Sequence, residues 1–208
     1  MKLFKKVLAA ALAGVLALSV LTGCNNSAAT VTMVDALNDW SKFYGEGVTY
    51  EKGDEDLQNQ VNALVKIVDE ASEKIDFKDA KDFREIYDIV MNNPTVQQEL
   101  TEWAKQFPTA TYGSEPSKPL YEYGFADINA TLSASSSKNI YYASQLMDEL
   151  DAINLPAGSS NRWEKGDTSY VAVATGEING KKYMVALFKT SIQKDPNYKP
   201  NPDKPGKN

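Results

Sequence analysis

The chain has 208 residues, with 22 basic and 28 acidic side chains, one cysteine and no histidine. Those counts exclude a Ser-His-Asp triad, a Cys-His nucleophile pair, imidazole metal ligands and an internal disulfide. The acidic balance argues against a nucleic-acid partner, because phosphate contacts need a basic face.

Read in chain order, Met1 to Lys6 is a short basic stretch carrying Lys2, Lys5 and Lys6, and Val7 to Leu21 is almost wholly apolar. That run is too short for a comfortable membrane span and has the flanks of a signal segment. It ends in Leu21-Thr22-Gly23-Cys24, where small residues precede the sole cysteine. The segment resembles the lipobox of bacterial lipoproteins. The resemblance implies that residues 1–23 are a signal peptide removed before Cys24. It also implies that Cys24 is lipidated, and that acyl chains hold the protein at the extracytoplasmic face of the bacterial cell membrane. Two or three such chains anchor firmly, since each buried methylene contributes about 0.8 kcal/mol. Loss of the leader leaves 19 basic against 28 acidic residues, a net charge of −9.

Residues 24–30 read as a lipidated tether, Asn25 to Thr30 being small and polar. Residues 31–193 then form a single α+β domain, helical over 31–108 and mixed over 109–193. The helical half has 17 acidic and 8 basic residues, so it carries the whole net charge. Its first helix follows from Met33, Leu37, Trp40 and Tyr44 and is stopped by Gly45 and Gly47. Leu57, Val61, Leu64, Val68, Ala71 and Ile75 repeat at 4-3-4-3-4, the clearest helical period in the chain. Asp54, Glu55 and Asp56 stand where anions suit the positive end of that helix. A third helix is predicted over 79–91, with Phe83, Ile86, Tyr87 and Val90 inward. A fourth opens at Asn93-Pro94 and buries Val96, Leu100, Trp103 and Phe107.

The second half changes period. Thr109 to Tyr112 and Leu120 to Ser133 read as short strands joined by a loop over 113–119. Ser135 to Ser137 cap a fifth helix predicted over 138–153, apolar on more than one stripe and therefore well buried. Ser169 to Ile178 and Lys181 to Thr190 flank Asn179-Gly180, a pair suited to a type I′ turn. A two-residue loop places Tyr170, Ala172 and Ala174 on one face with Leu187, Val185 and Tyr183. Val171 and Val173 share the other face with Phe188, Ala186 and Met184. Both faces are apolar, so the hairpin should lie inside an antiparallel sheet with helices on both faces. Residues 194–208, rich in proline and lysine, read as a disordered, solvated tail, with attraction to an acidic cell-wall polymer as the alternative.

Candidate chemistry is sparse. Asp148, Glu149 and Asp151 fall in the predicted last turn of the fifth helix, where acids oppose the dipole; their spacing fits no calcium loop, and they read as solvated acids. Asn161, Arg162 and Trp163 form a polar loop carrying one of only two arginines beside a tryptophan, residue types enriched at binding sites. They are the candidate ligand-binding residues, against the alternative that Trp163 plugs the core. There is no phosphate loop or dinucleotide glycine pattern, so no cofactor and no metal are expected and no catalytic residue is assigned. The order of a helix, a polar Ser-Ser-Asn-Arg loop and the two strands starting at Tyr170 and Tyr183 resembles the end of bacterial CAP domains, which are α-β-α sandwiches. The family's histidines are absent here, which implies loss of its metal-binding cleft. The reading that follows is a membrane-anchored lipoprotein with a non-catalytic binding or envelope-structural role, its partner a cell-wall polymer or an envelope protein. The alternatives are a carboxylate-dependent cell-wall or glycan hydrolase and a degenerate CAP-like secreted domain.

Overall fold

The computed structural model describes residues 26–78, 80–112, 117–128, 138–148, 150–155 and 163–197. In chain order the elements are α1 (Asn26–Tyr44), β1 (Thr49–Lys52), α2 (Glu55–Ser72), α3 (Phe83–Met91), α4 (Pro94–Ala104), β2 (Leu120–Asp127), α5 (Lys138–Asp148), β3 (Asp151–Ala152), β4 (Trp163–Ile178) and β5 (Lys181–Lys194). The fold is α+β, with helices dominating the first half and the hairpin coming last.

The β4–β5 hairpin sets the architecture. Asn179 and Gly180 adopt φ of 49° and 75°, the left-handed pair that a type I′ turn requires. The register that follows pairs Ala172 with Leu187, Ala174 with Val185 and Val173 with Ala186. Ala172, Ala174, Tyr183, Val185 and Leu187 pack in one core, under α2, α3 and α4. Val171, Val173, Met184, Ala186 and Phe188 pack in the other, with α1 and α5. The two-faced apolar pattern is thus matched by two helical layers, one on each side of a five-stranded sheet ordered β1-β4-β5-β2-β3. The sheet is antiparallel except at one edge, where the short strand β1 joins β4 in parallel.

Local sequence explains the helices. Asp54 caps α2 by accepting the Leu57 N–H at 2.8 Å, so the acidic start is spent on capping. Asn93 caps α4, with Pro94 in its first turn. Helix α3 starts at Phe83 and not at residue 79, because Asp82 is its N-cap and accepts the Glu85 N–H.

Other expected boundaries are corrected as well. Helix α1 reaches back to Asn26, into the stretch expected as a tether, because Ala29 and Thr30 are buried against the sheet. Helix α5 ends at Asp148; Asp151 and Ala152 leave it to pair with Tyr123 and Glu122 of β2. Acids accumulating at a helix C-terminus favour that early stop. Strand β2 ends at Asp127, before the expected 133. Strand β4 begins at Trp163, with a bulge between Lys165 and Ser169. Lys194, expected to open the tail, closes β5; residues 129–133 of the expected strand, the expected cap at 135–137 and residues 198–208 of the tail lie outside the described residues.

Gly124 sits where α5 crosses β2. A Cβ there would fall 2.1 Å from the Leu146 carbonyl oxygen, so only glycine admits the helix at this distance. No helix among the described residues is long and apolar enough to cross a membrane.

Candidate functional site

Strand β2 presents Tyr121, Tyr123 and Phe125 at alternate positions toward the α2–α3–α4 layer. Around them the rings form a connected set. Phe107 meets Tyr121 at 4.7 Å between centroids and Trp103 at 4.8 Å; Trp103 meets Tyr123 at 6.2 Å. Tyr123 meets Phe125 at 5.8 Å, Phe125 meets Tyr87 at 5.0 Å, and Phe83 stacks on Tyr183 at 6.2 Å. Where this aromatic layer reaches the side of the molecule, between α3 and the α5–β3 segment, it is left open.

Two adjoining hollows form a groove there. One, of about 240 Å³, is lined by Phe83, Arg84, Tyr87, Phe125, Gln145 and Asp148. The other, of about 560 Å³, shares Tyr87 and adds Asp88, Asn92, Gln97, Tyr123, Asp151 and others. Gln145 is held by accepting the Asp127 N–H at 2.8 Å, and Gln97 donates to the Met91 carbonyl. Burial, followed by the nearby Asp151 carboxylate, pushes the Tyr123 hydroxyl above its ordinary range. The groove combines aromatic faces, side-chain amides, a guanidinium and three carboxyl groups. That mixture suits a polar ligand with flat apolar faces.

Of the residues singled out from sequence, Asp148 and Asp151 line this groove, but from a helix end and a strand rather than from one helical turn. Trp163 lies elsewhere. It packs on Ala110, Leu120 and Ile192 with Tyr112 and Leu155, as the core-plug alternative required, and its indole N–H has no acceptor among the described residues. Asn161, Arg162, Glu149 and Cys24 lie outside the described residues. The residue that sequence reasoning passed over is Arg84. The rarity that drew attention to Arg162, two arginines against twenty lysines, applied equally to Arg84.

Two buried polar groupings are structural. Glu122, 7% exposed, pairs with Lys165 at 2.7 Å. Beside it the Ser169 and Thr190 hydroxyls share a hydrogen bond of 2.7 Å, and burial pushes the Tyr50 hydroxyl up to about 12. The space among these groups is about 20 Å³, room for about one water molecule and not for a substrate. On the other face, Tyr183 donates to Asp69 at 2.8 Å. Burial raises the Asp69 carboxyl above its usual range, partly offset by that hydrogen bond. Among the described residues no cluster of three or more metal-ligating side chains occurs. Among known protein families, curated proteins and solved structures, none matches this chain.

Proposed function

We propose that this chain is a lipoprotein held outside a bacterial cell by acyl chains on Cys24, and that its domain binds a cell-wall glycan in the groove between α3 and α5. The anchor is supported by the leader: a basic start, a short apolar run, small residues and the sole cysteine. Glycan binding rests on one observation, the aromatic floor of Phe83, Tyr87 and Phe125 edged by Arg84, Gln145 and Asp148. Sugar rings stack their C–H faces on aromatic rings, while amides and carboxylates accept from their hydroxyls. The test is retention of the mature protein on purified peptidoglycan sacculi. Tyr87→Ala and Arg84→Gln should each weaken retention at least tenfold. Retention unchanged in both, or absent in the parent protein, would overturn the glycan reading.

A hydrolase is the second reading, favoured by Asp88, Asp148 and Asp151 in the same groove. It requires release of reducing ends from the sacculi and its loss in Asp148→Asn. Kinship with CAP domains draws support from the α-β-α layering alone.

A further inference from the structure

We infer that the end of the domain carrying the β4–β5 turn faces the lipid surface, with Lys181, Tyr141 and Ile140 at the contact. The inference rests on the reading that Cys24 carries acyl chains. Its geometry comes from the fold. Thr30 of α1 accepts the Val173 N–H, and Asn38, two turns later, brackets Tyr50 of β1. Since Tyr50 pairs with Ser169, α1 runs antiparallel to β4, and its N-terminus points toward the hairpin turn. Helix α5 runs the same way as α1. Its Tyr142 hydroxyl donates to Ile128, whose N–H bonds Lys182, while its Met147 sulfur meets the Tyr50 hydroxyl. The starts of both helices and the hairpin turn therefore share one end of the molecule.

The lengths fix how near that end comes to the anchor. From Thr30 back to Asn26 the helix rises about 6 Å. The two residues from Asn26 to Cys24 span at most about 7 Å. From Val173 to Ile178 the hairpin extends about 16 Å in the same direction. A surface that holds the Cys24 acyl chains thus meets the hairpin turn. The side chains exposed there fit such a surface: Ile140 and Tyr141 are large apolar groups left 36–39% exposed, and Lys181 and Lys182 follow the turn. Glu177 pairs with Lys182 across the hairpin, and Glu70 and Glu73 near the end of α2 approach the same end from the other face. The contact is therefore driven by the anchor and not by net charge. The opposite end of α1 carries Phe43, 79% exposed, about 26 Å from Asn26.

The test uses the full-length precursor, matured in a bacterial host. Acylation converts the Cys24 sulfur to a thioether, so Lys181→Cys, Tyr141→Cys and Phe43→Cys should each present one free thiol per chain. Each is labelled with a fluorophore and placed in vesicles of phosphatidylcholine and phosphatidylglycerol bearing a headgroup nitroxide quencher. Labels at 181 and 141 should be quenched at least fivefold more than the label at 43. One thiol per chain with equal or reversed quenching overturns the orientation and leaves the anchor standing. Two thiols per chain, with protein remaining in the aqueous phase, overturns the anchor and the orientation with it.

Discussion

The two edges of the sheet end in different ways. At the β1 edge, side chains from two helices close the backbone. Strand β1 stops at Lys52, which leaves the backbone of Val173 in β4 without a strand partner on the side away from β5. The Thr30 hydroxyl accepts its N–H at 3.0 Å and donates to the Gln58 side chain at 3.1 Å, whose amide donates to the Val173 carbonyl at 2.9 Å. Farther along, Asn38 makes both a donated and an accepted bond with Tyr50, each 2.8 Å, and Ser41 donates to Val48. An edge so covered offers no template for pairing with another chain. At the β3 edge a two-residue strand and one buried asparagine do the fastening. Asn154 accepts from the Tyr121 N–H and donates to the Pro108 and Pro119 carbonyls, while its own carbonyl takes the Ala110 N–H. Beyond that knot the layer opens into the groove. One edge is closed by side chains of two helices, and the other concentrates its bonds at one point beside the groove.

The largest expected effect tests the knot. Asn154→Ala leaves the Tyr121 N–H and two carbonyls without partners in a site that excludes water. Its cost should be about 3 kcal/mol, summed over groups worth about 1–3 kcal/mol each when left unsatisfied. Urea unfolding measures it; a loss under 1 kcal/mol would show that the β3 edge is held by packing instead. Thr30→Val keeps the shape but leaves the Val173 N–H and the Gln58 carbonyl unmet, at about 2 kcal/mol. Faster amide exchange at Val173, with little change at Tyr121, would confirm that the two edges are independent. The smallest effect belongs to neither edge. The folded state holds the proton on Asp69 to a higher pH than the unfolded chain, whose aspartates titrate near the usual 3.8. The associated stability is present below that value and is lost as pH rises through the folded one. Asp69→Asn still accepts from Tyr183, so its stability should fall less than that of the parent protein over that interval. Parallel stability–pH curves for the two would refute the effect.

What could be read from the residues alone was local. The Asn179-Gly180 turn fixed the hairpin register, because positive φ at two successive positions restricts the backbone to one turn geometry. The same pattern required helices on both faces, because both faces were apolar. The 4-3-4-3-4 spacing marked α2, and Asp54 and Asn93 marked helix starts. The end of α5 is harder to place, because it depends on the pairing of Asp151 and Ala152 with β2. The groove is not legible in the sequence: the acids at 148 and 151 read as solvated, Arg84 and Gln145 carry no local signal, and Trp163 turns inward.

Composition and order, by themselves, settled the α+β class, the central hairpin and the absence of histidine chemistry, since these depend on residue counts and near-neighbour backbone geometry. Tertiary structure decided the covered edge, the asparagine knot and the groove. Those features join residues up to 143 positions apart, and no spacing rule reaches that far along a chain.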